Sequence, residues 1–200
     1  MDTGMSSESA PLVFRPMREE DIAGVMEIER QSFPFPWPES AYRHEIRYGT
    51  DSLFYVLELP PEPSLAPWWV RLLRRRGPTR PPVIGYVGMR LLPGEAHITT
   101  IAIHPQWRGR GLGKYILLKA IERAARYHAR WITLEVRASN QVAQRLYTEV
   151  GFRFTGVQRG YYRDGEDAWL MRLGPLDRAE MERLEKIRQE TEARIGIGDL

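Results

Sequence analysis

The stretch that most restricts the fold is a strand, a glycine-rich turn and a helix in immediate succession. The turn is RGRGLG (108–113), between a predicted strand at 95–103 and a predicted helix from about Leu112 to His128. The first N–H groups of a helix have no partner within it, and the helix dipole adds partial positive charge there. The turn is therefore a candidate phosphate site. The alternative is a tight turn whose arginines are simply solvated.

Two common phosphate-binding motifs do not match this turn. A P-loop requires glycine five positions before Gly-Lys and a Ser or Thr after it, and Arg108 and Tyr115 occupy those places. A dinucleotide fingerprint requires GxGxxG, whereas Gly109, Gly111 and Gly113 give GxGxG. The sequence therefore predicts neither of these two nucleotide sites.

The order of periodic segments predicts the fold class. Predicted strands lie near 13–15, 53–59, 83–91, 95–103, 131–136, 152–159 and 167–173, and predicted helices near 22–29, 38–47, 112–128, 140–150 and 176–195. Asp21 is a plausible N-cap, and Pro38 suits the first position of a helix. We expect one α/β domain of the mixed α+β kind, with a central, mostly antiparallel mixed sheet flanked by helices.

The domain is predicted to occupy 12–174, with three additions of different composition. Residues 1–11 are small and polar, and we expect them to be disordered. A Pro/Arg-rich insertion at 60–82 interrupts a hairpin. Its five arginines and one glutamate give it a net charge of five minus one, +4, which exceeds the +3 of the whole chain. Its part at 68–80 could touch RNA or an anionic surface, or could be a solvated arginine face with packed tryptophans. The charged tail at 175–200 predicts a solvated helix.

Residue types exclude several kinds of site. The chain has no cysteine, and its four histidines lack the spacing of a metal motif, so we expect no metal. No apolar run is long enough for a membrane span, and the first residues lack the pattern of a signal peptide. These features favour a cytoplasmic protein.

Beyond the turn, longer stretches resemble a known family. RGRGLG fits the R/Q-x-x-G-x-G/A loop that binds the acetyl-CoA pyrophosphate in GNAT N-acetyltransferases, and TTIAIHP precedes it as in that family. LEVRASNQVAQRLYTEVGF (134–152), FPFPW (33–37) and GYYRDGEDAWLMRL (160–173) resemble RimI-type enzymes, which acetylate the N-terminal alanine of a ribosomal protein. The resemblance covers roughly 13–173 except the insertion. It implies a GNAT fold, acetyl-CoA as co-substrate and a protein N-terminus, possibly of a ribosomal protein, as acceptor.

The resemblance also assigns roles to individual residues. It implies that Glu135 is the general base and that Tyr147 is the general acid. The implied cofactor-binding residues are Ile101, Ala102, Ile103, Arg108, Gly109, Arg110, Gly111, Leu112, Gly113 and Asn140. The implied acceptor-binding residues are Phe35, Trp37, Tyr161 and Tyr162.

The residues by themselves leave other interpretations open. Glu135 stands in an otherwise apolar strand and could pair with an arginine, while Tyr147 could be an ordinary core residue. Asn140 could be a helix N-cap, and residues 33–40 could be a proline-stiffened connector with buried aromatic residues. Tyr161 and Tyr162 could merely cover the end of the sheet. Two functional alternatives also stand: a GNAT enzyme that acts on a small amine or a lysine side chain, and a non-catalytic module that binds CoA or RNA.

Overall fold

The computed structural model describes residues 12–59 and 82–195. The expected disorder at 1–11, the insertion apart from Pro82, and the suggested RNA or anionic-surface contact at 68–80 lie outside these residues. The described strands are β1 (Val13–Pro16), β2 (Ser52–Glu58), β3 (Val83–Leu92), β4 (Glu95–Ile103), β5 (Trp131–Arg137), β6 (Arg153–Gln158) and β7 (Ala168–Leu173). The described helices are α1 (Ile22–Ser32), α2 (Glu39–Tyr48), α3 (Leu112–Arg126), α4 (Gln141–Val150) and α5 (Arg178–Ile195).

The seven described strands form one mixed sheet in the order β1-β2-β3-β4-β5-β7-β6. Every neighbouring pair is antiparallel except β4 and β5, which run parallel because α3 carries the chain back across the sheet. The predicted fold class, a mostly antiparallel mixed sheet flanked by helices, is confirmed.

The helices form a layer on each face of the sheet. On one face α1 and α2 close a cluster that includes Ile28, Tyr42 and Tyr86. On the other face α3, α4 and α5 cover a larger cluster. In α3, Ile116 and Ala120 are fully buried one turn apart, which is the apolar stripe that its sequence predicts. Among the described helices, none is both long and apolar enough to cross a membrane.

Two predicted helix starts differ from the structure. The Asp21 side chain does not cap α1; its carboxylate accepts from the Arg18 backbone N–H at 2.7 Å and from the Arg15 guanidinium at 2.7 and 2.9 Å. Asp21 therefore ties a short 3₁₀ turn to β1. Pro38 is extended, with φ −70° and ψ 148°, so that α2 begins one residue later than predicted.

The C-terminal helix α5 is predicted to be solvated, but in the structure one side of it packs against the core. Leu184 is 4% exposed within the larger core cluster, and Met181 and Ile187 pack against that cluster. Arg183 donates from Nη2 to the Val150 carbonyl at the end of α4, at 2.6 Å. The charged composition of α5 hides a narrow apolar stripe that is sufficient to dock it.

A bulge in β4 opens the middle of the sheet. Gly88 of β3 pairs with Thr100, whereas the next residue, Met89, pairs with Ile98, so Thr99 is the extra residue of β4. The parallel pairing of β4 with β5 covers four positions and ends at Ile98 opposite Leu134. Beyond that point both strands continue without pairing to each other. The bulge thus coincides with the place where the sheet splits.

Candidate active site

The gap between β4 and β5 is part of a cavity of about 570 Å³. Its walls come from both faces of the sheet: the segment between α1 and α2, the loop between β6 and β7, and the start of α4. Eight of the predicted site residues line it together: Phe35, Trp37, Ile101, Glu135, Asn140, Tyr147, Tyr161 and Tyr162. A cavity walled by elements from both faces of the sheet suits a reaction in which two substrates meet.

Glu135 faces this cavity because of the strand alternation in β5. Its neighbours Leu134 and Val136 are buried in the core on the other face, so its own side chain points away from that core. The side chain is 20% exposed, and its Oε2 lies 3.1 Å from Nε2 of His97. Tyr161 donates weakly to the same oxygen at 3.4 Å. The ionisable neighbour of Glu135 is thus a histidine, not the arginine of the alternative interpretation.

Tyr147 reaches the cavity from α4, and local interactions fix that helix. Asn140 caps it, its Oδ1 accepting from the Ala143 N–H at 3.1 Å, and Gly151 ends it with φ 117°. Gln144 donates to the carbonyls of residues 137 and 138 at 2.9 Å, which ties α4 to the end of β5. Tyr147 is 7% exposed, and burial, followed by the proximity of Tyr162, raises the pKa of its hydroxyl. The hydroxyl therefore remains protonated at neutral pH and can donate a proton.

The glycine-rich turn has the backbone geometry of an anion site. Gly109 and Gly111 have φ values of 76° and 86°, a conformation that favours glycine. Since α3 begins at Leu112, the N–H groups of residues 112–114 have no partners within the helix. Gly113 is different: its φ is ordinary, and an added Cβ would lie 3.2 Å from Leu146, so this glycine allows α3 and α4 to approach closely.

The basic side chains of the turn are mostly engaged in its own structure. Arg108 donates to the Ile103 carbonyl at 3.0 Å and to the Ser32 hydroxyl at 2.7 Å. Lys114 forms an ion pair with Glu149 at 2.5 Å. Arg110 is exposed, and its guanidinium lies 4.7 Å from the centre of the Trp107 ring. Arg108 thus anchors the turn, while Arg110 remains accessible to an anion.

Strand β4 offers the cofactor backbone groups. Ala102 and Ile103 are 8% and 7% exposed, and their side chains belong to the two opposite core clusters. Leu112 is likewise a core residue. These three could contact a ligand through the main chain, and β4 after the bulge has no β5 neighbour along this edge. An extended pantetheine arm along β4 and a pyrophosphate at α3 fit this arrangement.

Aromatic residues line the cavity on the side of the β6–β7 loop. Tyr161 and Tyr162 meet edge to face at 5.0 Å, and the Arg137 guanidinium lies 4.0 Å from the centre of the Tyr162 ring. Burial raises the pKa of Tyr162 to about 12. Arg137 also pairs with Asp164 at 2.8 Å and Glu166 at 2.7 Å, which holds the β6–β7 loop against β5. Phe35, 46% exposed, stands on the other wall.

Several cavity residues are not predicted from the sequence, among them His97 and Glu29. The spacing of the histidines bears only on metal sites and gives no signal for contact with a carboxylate. Glu29 is 1% exposed; it accepts from the Tyr42 hydroxyl at 2.5 Å, from the Tyr86 hydroxyl, and from the Trp37 N–H at 3.0 Å. The signal for Glu29 was its position on the apolar face of α1, where an acidic residue requires buried partners.

Comparisons with known proteins agree with this geometry. Residues 22–152 match the model of the acetyltransferase (GNAT) family. A Bacillus subtilis (strain 168) protein, provisionally named a ribosomal protein bS18-alanine N-acetyltransferase, is 37% identical over 158 residues, or 78% of this chain and 91% of that protein. The N-alpha-acetyltransferase RimI of Mycobacterium tuberculosis (strain ATCC 25618 / H37Rv) is 30% identical over 175 residues, or 84% of this chain and 96% of that protein.

A solved structure gives the same result. The ribosomal-protein-S18-alanine N-acetyltransferase from Escherichia coli superposes with a TM-score of 0.63 and 26% identity, covering 82% of this chain and 93% of that one. The family match spans the glycine-rich turn, α4 and the cavity lining except residues 161–163. The chain belongs to the GNAT family and is an acetyl-CoA-dependent N-acetyltransferase.

Proposed function

We propose that the protein acetylates the N-terminal α-amine of a protein substrate, with Glu135 as general base and Tyr147 as general acid. The observation that carries this proposal is that both side chains line one cavity, whose walls come from elements on both faces of the sheet. On this proposal acetyl-CoA enters along β4 and the glycine-rich turn, and the acceptor enters between residues 33–38 and Tyr161–Tyr162. Some relatives are named N-alpha-acetyltransferases, and these names support the choice of an N-terminal amine as acceptor.

The chemistry requires proton removal from the amine. An α-amine has a pKa of about 7.7–8.0, whereas that of a lysine side chain is about 10.4. The difference of roughly 2.5 pKa units corresponds to about 3.4 kcal/mol of extra deprotonation cost for lysine at neutral pH. A single carboxylate such as Glu135 is thus better matched to an α-amine, from which it takes one proton as the nitrogen attacks the acetyl carbonyl.

Tyr147 supplies the second proton transfer. Departure of CoA leaves a thiolate, and a hydroxyl that burial keeps protonated can donate its proton to the sulfur. Acetyl-CoA supplies the activated acetyl group, and direct attack by the acceptor nitrogen requires no covalent enzyme intermediate. The nitrogen loses one proton to Glu135, the thiolate gains one from Tyr147, and Tyr147 recovers its proton from solvent when CoA leaves.

We further propose a small first residue, alanine or serine, on the acceptor. The relatives from Bacillus subtilis and Escherichia coli carry names that specify an alanine of a ribosomal protein. An apolar pocket discriminates by about 1–3 kcal/mol per small group. The preference for a small first residue should therefore be graded, about 10–200-fold, rather than absolute.

The acceptor class can be tested by competition on a single molecule. One peptide carries a free N-terminal alanine and an internal lysine, and mass spectrometry locates the acetyl group at low conversion. We expect it on the N-terminus. Acetylation mainly on the lysine, or faster turnover of a polyamine than of the peptide, would reject the N-terminal acceptor and retain the GNAT assignment.

The two catalytic roles are tested separately. Glu135→Gln should lower kcat/KM by about 10² or more while calorimetry shows unchanged acetyl-CoA affinity. Tyr147→Phe should lower kcat by a similar factor. Glu27→Gln and Tyr127→Phe are matched controls, because Glu27 and Tyr127 are exposed and neither lines the cavity. Activity of Glu135→Gln equal to that of the parent would exclude Glu135 as the base.

A further inference from the structure

A continuous line of polar side chains leads from Glu135 away from the cavity. Nε2 of His97 lies 3.1 Å from Glu135, and Nδ1 of the same ring lies 3.1 Å from Oγ1 of Thr133. Thr133 donates to Oε1 of Glu95 at 2.8 Å. Glu95 and His97 belong to β4 and the other two to β5, so the line crosses between the two parallel strands three times. Glu135 and His97 line the cavity, whereas Thr133 and Glu95 do not.

Counting hydrogens gives this line a direction. A threonine hydroxyl has one hydrogen, and here it points to Glu95. The Thr133 oxygen can therefore only accept from His97, which places a hydrogen on Nδ1. A neutral imidazole with a hydrogen on Nδ1 has a lone pair on Nε2, and that atom faces the Glu135 carboxyl. The contact between His97 and Glu135 is consequently favourable when a proton lies between them.

We propose that His97, Thr133 and Glu95 form a proton exit path for Glu135, a role that rests on the proposed function of Glu135 as general base. Glu135 accepts a proton from the acceptor nitrogen as that nitrogen attacks the acetyl carbonyl, and becomes a carboxylic acid. It passes that proton to Nε2 of His97 while Nδ1 releases its hydrogen to Thr133, whose own hydrogen moves to Glu95. One proton leaves the amine and one arrives on Glu95, and Glu135 is again a carboxylate.

The path solves a problem that the cavity creates. When an acceptor occupies the entrance between residues 33–38 and the Tyr161–Tyr162 pair, it separates Glu135 from bulk water on that side. Glu95 is partly exposed and outside the cavity lining, so a proton that reaches it can pass to solvent without the product leaving first. His97, whose side chain is 24% exposed, is the residue in direct contact with the base.

A purely structural role would predict a different outcome. The same hydrogen bonds connect β4 to β5, and the two strands pair over only four positions. Loss of these hydrogen bonds could therefore simply destabilise the sheet. Such a role would affect the melting temperature and would not respond to a proton carrier in the buffer. The two explanations therefore differ in a measurable way.

The experiment removes one hydroxyl from the middle of the path. Thr133→Val is compared with Thr133→Ser, which retains a hydroxyl, and with Thr155→Val, which removes a strand hydroxyl that donates to the Leu170 carbonyl far along the sheet. Whichever amine the enzyme acetylates best serves as acceptor. We expect Thr133→Val to lower kcat about tenfold with little change in either KM, a part of the 10²–10⁴ that acid–base catalysis contributes. Added imidazole should restore its kcat in proportion to concentration.

Three results decide the proposal. In a Glu135→Gln background, Thr133→Val should not lower kcat any further, because the path then has no base from which to remove a proton. If Thr133→Val has parental kcat, or its loss is insensitive to imidazole and equal to that of Thr155→Val, the path is refuted while the base assignment stands. If Glu135→Gln itself is fully active, the base assignment fails, and the path fails with it.

Discussion

Replacing Glu29 by glutamine tests how a buried carboxylate holds the acceptor wall. One oxygen accepts from two tyrosine hydroxyls and the other accepts from the Trp37 N–H at 3.0 Å. A glutamine amide presents an NH₂ group at one of these positions, so either the Trp37 N–H or the tyrosine pair faces a donor. Losing a hydrogen bond to a charged group costs about 1.5–3 kcal/mol. We take about 2 kcal/mol for the loss of stability.

That loss has two measurable consequences. For a chain of this length, 1 kcal/mol shifts the melting temperature by about 2–4 °C, so Glu29→Gln should melt about 4–8 °C lower by circular dichroism. Freed from its anchor at Trp37, the segment 33–38 should also bind the acceptor less well, which raises the KM for the peptide several-fold with kcat less affected. Glu27→Gln, on the exposed side of α1, is the control. This account would be refuted if Glu29→Gln melted within about 1 °C of the parent, which corresponds to less than about 0.5 kcal/mol, and had an unchanged KM for the peptide.

Three further variants test other parts of the structure. Gly111→Val should raise the acetyl-CoA dissociation constant at least about tenfold by calorimetry, because the left-handed backbone disfavours valine and its Cβ would lie 3.0 Å from Arg194; unchanged affinity would contradict this. Leu184→Ala should destabilise the protein by about 2–3 kcal/mol in urea unfolding, whereas a freely solvated α5 would give no change. Hydrogen bonds from Ser139, and then Arg137, lower the pKa of Glu166 from 4.5 to about 2. The stability that Glu166 contributes is therefore present above pH 4.5 and is lost as the pH falls toward 2. Glu166→Gln should lack this part of the fall in unfolding free energy at acid pH.

Local signals explain what the sequence predicted well. Helix α4 lies within one residue of its predicted bounds because Asn140 and Gly151 act on their own backbone neighbourhood. The alternation in β5 likewise predicts that Glu135 leaves the core face, since strand period depends only on the chain itself. Features of this kind need no knowledge of distant residues.

The remaining features depend on pairing between distant segments. Alternation alone would place Thr100 and Ala102 on the same face as Ile98, but the Thr99 bulge reverses the faces, and a bulge is defined by the partner strand. His97 becomes a partner of Glu135 because β4 and β5 are parallel neighbours in a particular register. Gly113, to which the resemblance assigns cofactor binding, also has a packing role that only the structure reveals: its missing side chain leaves room for Leu146.

The four-position pairing between β4 and β5 makes the sheet two panels joined by a narrow strip. Helix α5 adds a second connection, since it packs on α3 and Arg183 donates to the carbonyl at the end of α4. The two panels are therefore held together by helices as well as by strand hydrogen bonds. Under denaturant or pulling force, amides along the strip should exchange with solvent before those of β2 and β3. A bound cofactor that contacts both β4 and α4 would then connect the two panels. Its binding should slow the exchange of amides on both panels.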